Sequence, residues 1–421
     1  MTTECRKGEK QGTETARSPA PGLSRGTVAL FAVASGTAVA NVYFAQPLLA
    51  TLGQEFGIGQ GAVGTLVTAT QVGYGLGLFL LVPLGDTLNR RKLVTTQSLL
   101  LAAALAALGT AAHVPALFAS AAVMGFLAVV TQSLVAYAAA LATPDRRGHV
   151  VGQVTGGIVV GILLARTVSG VLADLADWRT VYLASAATTL ILALALRRAL
   201  PRQTTPVERL RYRDLLRSTA ALFVQERLLR TRAVLALLVF ASFSVLWSCV
   251  ALPLSAQPLS LTHTAIGAFG LAGAAGALAA APAGRLHDRG HARRTTGGAL
   301  FLLALSWIPL AFTRQSLWAL AVGAVLLDLA VQAVHVTNQS VIYTHRPDAG
   351  GRVIGGYMVF YSVGSAIGAW ASTTLYAIAG WGAVCLLGAA FSLLALAVWA
   401  FLDPPASPTA REERPIGYGG R

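Results

Sequence analysis

Residues 317–343 read LWALAVGAVLLDLAVQAVHVTNQSVIY. A run this long and apolar is enough to cross a hydrocarbon core about 30 Å thick as a helix. At about 100° per residue, Gln332, His335 and Gln339 fall at roughly 40°, −20° and 20° from Asp328, so the four polar side chains share one face. Inside a bilayer a carboxylate costs roughly 2.5–3.5 kcal/mol on insertion scales. The stripe therefore either lines a substrate or ion pathway or holds helices together by hydrogen bonds. Of the 17 Asp and Glu residues only Asp328 lies well inside a hydrophobic run, which favours the pathway.

Working outward from this stretch, eleven more runs of membrane-spanning length occur at 27–50, 62–84, 93–112, 116–141, 150–172, 180–196, 233–254, 265–283, 295–312, 353–377 and 381–402. The composition agrees: hydrophobic residues make up 55%, charged residues 12%, and the mean hydropathy is +0.64. Soluble domains carry about a quarter charged residues. The expected fold is an all-α integral membrane protein of twelve transmembrane helices in two pseudo-symmetric six-helix bundles. A net charge of +15 would suggest nucleic acid in a soluble chain, so the placement of the 32 Lys and Arg residues decides its meaning. Twenty-nine of them lie in the tails and alternate loops on one side, Arg179 and Arg314 lie on the other, and Arg166 lies within a run. The positive-inside rule then places both termini in the cytoplasm and the chain in the plasma membrane as a multi-pass protein, with lipid and not nucleic acid as its surroundings.

The segments that follow are a cytosolic tail at 1–26, a first bundle at 27–199, a basic linker at 200–232, a second bundle at 233–402 and a cytosolic tail at 403–421. The linker contains Pro201 and Pro206, and a surface helix near 210–229 held by anionic lipid is expected within it. The two halves repeat. An offset of 203 superposes Gly64 on Gly267, Pro144 on Pro347, Asp145 on Asp348, Gly152 on Gly355, Gly161 on Gly364 and Trp178 on Trp381. Ala45-Gln-Pro-Leu48 recurs as Ala256-Gln-Pro-Leu259 at an offset of 211. Parallel repeats place a binding site near the midplane between the halves. The charges break the repeat, since Asp328 corresponds to Gly125, His335 to Gln132 and Arg166 to Ala369. Packing requirements recur in both halves; chemistry need not.

Between the second and third runs stands Gly85-Asp-Thr-Leu-Asn-Arg-Arg-Lys92, and between the eighth and ninth Gly284-Arg-Leu-His-Asp-Arg-Gly290. These loops resemble the signature G-x-L-x-D-R-x-G-R-R of the major facilitator superfamily, and the resemblance covers about residues 27–402. Asn41-Val-Tyr-Phe-Ala-Gln-Pro-Leu-Leu49, Ala165-Arg-Thr-Val-Ser-Gly170 and the Asn338-Gln339 pair are similar to bacterial sugar-efflux and drug-export permeases. The departures are Thr87 and Asn89 in the first loop, no arginine in the fourth run, and Gly157 where the antiporter motif has proline. The resemblance implies a monomeric secondary transporter of a small molecule, proton-coupled and exporting from the inner membrane of the cell as an antiporter. Coupled uptake of a sugar-like solute and a non-transporting solute sensor are the alternatives.

Candidate residues follow from chemistry. Asp328, Arg166 and His335 are the ionisable groups within runs and are assigned to proton coupling. Arg166 either reaches Asp328 or snorkels outward, and His335 is either a proton carrier or a neutral hydrogen-bonding partner. Asn41, Tyr43, Gln71, Tyr74, Gln132, Trp247, Gln332 and Gln339 are expected to line the substrate cavity. Asp86 with Arg90 and Arg91, and Asp288 with Arg289, are expected to form a cytoplasmic gate. Glycines at 73, 75, 77, 152, 156, 157, 161, 364 and 368 are expected to permit close helix approach. Cys5, Cys249 and Cys385 fit no metal or disulfide spacing, so neither metal nor cofactor is expected. No Lys stands in a phosphate-binding loop, and one carboxylate with one histidine is too small a set for an enzyme active site.

Overall fold

The computed structural model describes residues 24–143, 146–200, 211–346 and 350–402, and every regular element among them is a helix. Nine of these helices are long and apolar enough to cross a membrane. One of the nine is two passes. A straight helix over the 50 residues of Val353–Leu402 would measure about 75 Å, more than twice the hydrocarbon core. The backbone breaks at Gly380 (φ 72°, ψ −169°), a conformation that a β-carbon disfavours.

Two more passes are interrupted, which corrects the continuous runs expected at 27–50 and 265–283. The first consists of Arg25–Ala40, a turn, the 3-10 helix Gln46–Leu48 and Leu49–Glu55. Pro47 has no N–H to give an α-helical ladder, and Asn41 turns its amide back onto the Thr37 carbonyl at 2.9 Å. The eighth consists of His263–Ala268, the 3-10 helix Phe269–Gly273 and Ala274–Asp288. With these the fold has twelve spans. Spans 2 to 6 are Gln60–Gly85, Arg90–Gly109, Val114–Leu141, Arg147–Leu175 and Trp178–Ala199. Span 7 is Arg227–Ser255, span 9 Ala292–Ala311 and span 10 Leu317–His345; spans 11 and 12 are 350–379 and 381–402. Side-chain caps start several of them, as where Asn89 accepts from Lys92 N and Asp177 from Thr180 N.

The repeat is visible in the packing. Gly157 and Gly161 of span 5 press on the backbone of span 1 at Ala32 and Gly36; Gly364 and Gly368 of span 11 press likewise on span 7 at Leu237 and Ala241. Gly73 and Gly77 meet span 4, and Gly75 meets Ser362. Gly152 and Gly156 face open space, so they are not packing glycines. Between the halves the repeat holds at the level of single carbonyls. A β-carbon on Gly64 would stand 2.5 Å from the Ala369 carbonyl oxygen, and one on its counterpart Gly267 would collide with the carbonyl of Arg166, the counterpart of Ala369.

These two seams, spans 2 with 11 and 5 with 8, close one face of the molecule. Thr68 Oγ1 donates to the Ala366 carbonyl at 3.0 Å, Thr374 Oγ1 to Gly61 at 3.2 Å and Thr167 Oγ1 to Gly267 at 3.0 Å. On the other face, which carries Arg90–Lys92 and the linker, the halves enclose a cavity of about 260 Å³. The linker helix is Tyr212–Gln225, within the expected region. Its Leu216 and Thr219 line the cavity, Tyr212 Oη donates to the Leu80 carbonyl at 2.6 Å, and Phe223 packs on Phe360 at 5.5 Å between ring centres.

Ahead of span 7, Glu226 accepts from Arg346 Nε at 3.0 Å and meets His345 Nε2 at 2.9 Å. The bonds from Arg346, then those from His345, hold its carboxyl below the usual carboxylate range. A depressed folded-state value contributes stability above the ordinary carboxylate pKa and loses it as pH falls through the depressed value. Thermal stability in detergent should therefore fall on acidification below about pH 4, and Glu226→Gln should flatten that limb. An unchanged acid limb in the variant would remove Glu226 as its source.

Candidate functional site

Where the halves meet, Arg166 of span 5 is 3% exposed. Its Nε donates to Gln46 Oε1 at 2.6 Å, and its Cζ lies 4.1 Å from the ring centre of Trp247, 5.2 Å from Tyr43 and 5.6 Å from Phe243. The guanidinium is thus boxed by three aromatic faces, an arrangement worth about 2 kcal/mol or more per contact where water is excluded. Its Nη2 is buried without a hydrogen-bond partner among the described residues. Trp247 of span 7 donates from Nε1 to Asp328 Oδ1 at 3.1 Å, and Asp328 is 7% exposed.

The indole therefore stands between the two charges. Arg166 is neither snorkelled nor in contact with Asp328; the first half offers the cation and the second half offers both the ring it stacks on and the carboxylate. Spans 5 and 10 are joined through Trp247, not by an ion pair.

One level nearer the basic face, Tyr43 and Tyr361 meet hydroxyl to hydroxyl at 2.5 Å across the halves. Phe240 packs tilted against Tyr361 at 3.9 Å between centres and edge-to-face against His335 at 5.2 Å. His335 Nδ1 lies 3.1 Å from Tyr357 Oη and Nε2 3.1 Å from Gln339 Nε2. With the amide nitrogen of Gln339 turned to it, Nε2 accepts and Nδ1 donates, the pattern of a neutral ring. Asp328 and His335 are seven residues apart, about 10 Å along the helix, and each has its own partners. The stripe on span 10 is thus divided into a carboxylate end and an imidazole–amide end, with half-buried Gln332 between them.

The other expected cavity residues separate. Gln132 is half-buried and lines the cavity; Gln71 and Tyr74 are buried in span 2, and Gln71 Oε1 has no hydrogen-bond partner among the described residues. Asn41 is fully buried, accepts from Ser185 Oγ at 2.6 Å and binds back to its own helix, which joins spans 1 and 6 instead of facing the cavity. In the signature loop Arg90 Nε donates to the Gly85 carbonyl at 2.9 Å and Arg91 donates to the Arg197 carbonyl, while the Asp86 side chain lies outside the described residues. Asp288 and Arg289 are exposed at the end of span 8.

Sequence reasoning missed four groups. Gln46, Phe243 and Tyr361 needed the contact partners. Arg232, placed before the seventh run, is 4% exposed and donates from Nη1 to Asn338 Oδ1 at 3.1 Å. The repeated Ala-Gln-Pro-Leu string was a signal for Gln46.

Comparison with known proteins gives the same architecture. The model of the Major Facilitator Superfamily matches residues 30–252 and 233–417. The uncharacterized transporter YgaY of Escherichia coli (strain K12) is 45% identical over 377 residues, 90% of this chain and 95% of that one. A Streptomyces coelicolor protein described as "Probable transporter SCO4007" is 32% identical over 386 residues, 90% of this chain and 88% of that one. Among solved structures, a bacterial homologue of the human lysosomal transporter Spinster in its inward-facing, occupied conformation superposes with a TM-score of 0.73 at 14% identity, covering 89% of this chain and 95% of that one.

Proposed function

The chain belongs to the major facilitator superfamily of membrane transporters, and on that premise we propose that it exports a small molecule across the cytoplasmic membrane by proton-coupled alternating access. The observation that carries the reading is the Arg166–Trp247–Asp328 bridge. A buried carboxylate in one half is linked through a single indole to a buried arginine in the other, at the level where the halves must part. A proton taken up by Asp328 removes the negative end of that bridge, and with it the hold of Trp247. The closed face is external and the cavity opens to the cytoplasm, because the basic loops lie on the cavity side. Substrate enters past Gln132 and displaces or engages the Tyr43–Tyr361 contact, with Gln71, Tyr74, Gln332 and the His335–Gln339 pair supplying hydrogen bonds. Asp86 with Arg90 and Arg91, and Asp288 with Arg289, gate the cytoplasmic side.

The test is flux in vesicles reconstituted with the purified protein, screened over small molecules with and without an imposed pH gradient. Uphill solute movement against the proton gradient supports the reading. Saturable binding without flux would replace it with solute sensing, and flux indifferent to the gradient would remove the proton. Orientation is checked separately: in intact cells Gln315→Cys should react with an impermeant thiol reagent and Thr205→Cys should not. Labelling of Thr205→Cys from outside would invert or dismantle the topology.

A further inference from the structure

The start of span 8 touches both ends of the molecule's chemistry. At its tip His263 places Nδ1 2.6 Å from Asp174 Oδ1 and Nε2 2.6 Å from Thr51 Oγ1. Asp174 also accepts from the backbone N–H groups of His263 at 3.2 Å and Thr264 at 2.7 Å. Asp174 and Thr51 belong to the first half and His263 to the second. A neutral imidazole donates to Asp174 and accepts from Thr51, and an imidazolium donates to both, so the trio is bonded in either state.

Below the tip the segment rides on glycines. A β-carbon on Gly170 would collide with the His263 carbonyl, and Gly267 lies against the Arg166 carbonyl. Lower still, a β-carbon on Gly270 would stand 2.8 Å from Cβ of Arg166, and one on Gly273 would stand 2.6 Å from Oδ2 of Asp328. The 3-10 turn Phe269–Gly273 joins the tip to the rest of span 8. Such turns have poorer hydrogen-bond geometry than an α-helix and often mark a hinge.

We propose that residues 263–273 are the gate of the closed face, latched at the tip by Asp174 and Thr51 and seated at the base on the carboxylate of Asp328, so that movement of that carboxylate releases the latch. The gate itself stands on geometry alone; the transmission from Asp328 rests on the proton-coupling reading above. Gly273 is a positioning residue: its missing side chain is the space that the carboxylate fills.

The experiment uses the full chain with Cys5, Cys249 and Cys385 replaced by serine and a reporter at Thr167→Cys, half-buried within the span 5–8 seam, so that every rate is read against this same reporter parent. The rate of labelling by an impermeant maleimide from the closed face is measured in membranes, with Gln315→Cys as an exposed control. Asp174→Ala and His263→Ala should each raise the rate about tenfold, Thr51→Val and His263→Gln by less. Asp328→Ala, which removes the seat, should also raise it; Gly273→Ala should raise it in the parent and add nothing once Asp328→Ala is present.

If the latch substitutions leave the rate at the parent value with folding intact by monodisperse elution, the gate is overturned. If Asp328→Ala alone leaves the rate at the parent value, or Gly273→Ala raises it further in that background, the transmission is overturned. The assay needs neither substrate nor proton gradient, so a failed gate and a failed proton-coupling reading give different patterns.

Discussion

Asp328→Asn should abolish flux driven by a pH gradient while leaving substrate exchange in place. The amide keeps the acceptor that Trp247 Nε1 reaches at 3.1 Å, so the bridge geometry survives and only the proton site is lost. Arg166→Ala should be more damaging, because it empties the box formed by Trp247, Tyr43 and Phe243 and leaves the Asp328 carboxylate without its nearby cation, whereas Asp328→Asn keeps the acceptor. Combining Arg166→Ala with Asp328→Asn should recover expression and exchange relative to Arg166→Ala alone. Trp247→Phe separates the two roles of the indole, since it preserves the ring over the guanidinium and removes the donor to Asp328. Its expected phenotype is transport with altered pH dependence, measured as flux across a series of imposed gradients. Normal pH dependence in Asp328→Asn would make the carboxylate structural and leave His335, held between Tyr357 and Gln339, as the next group to test.

How far the sequence reached depended on the range of each interaction. Span number was legible because it rests on long hydrophobic runs, which local packing does not alter. The repeat offset reached further, to the backbone contacts Gly64–Ala369 and Gly267–Arg166 that close one face. Burial of Arg166, Asp328 and Trp247 was legible; their order was not. Whether a guanidinium meets a carboxylate directly or across an indole depends on the angular placement of three helices, which hydrophobic periodicity and spacing do not resolve. Asn41 was misread for a related reason. A polar residue in a span can face the cavity or a neighbouring helix, and Ser185, the partner that decides between them, lies 144 positions away. The interruptions at 41–45 and 269–273 were hidden inside apolar composition, although Pro47, Gly270 and Gly273 mark where the ladder gives way.

Gly267→Leu should eliminate transport by holding the closed face open. A β-carbon at this position collides with the Arg166 backbone carbonyl, and backbone cannot move aside as a flexible side chain can. The conformation seen here is therefore forbidden to the variant, whereas a state in which spans 5 and 8 have separated has room for the leucine. If closing this seam is compulsory in each cycle, destabilising the closed state by about 4 kcal/mol lowers its population by about a thousandfold, and turnover with it. Stability measured by thermal unfolding should change much less, because the leucine is accommodated once the seam opens. The repeat supplies an internal control: Gly64→Leu meets the Ala369 carbonyl and Thr373 on the pseudo-symmetric seam and should give the same phenotype. Gly156→Leu, on the open side of span 5 with no neighbour within 4 Å, should transport normally. Flux in vesicles together with the labelling rate of Thr167→Cys distinguishes the outcomes. Loss of flux with fast labelling fits a seam propped open, and full activity in Gly267→Leu would mean that the contact between spans 5 and 8 is not part of the cycle.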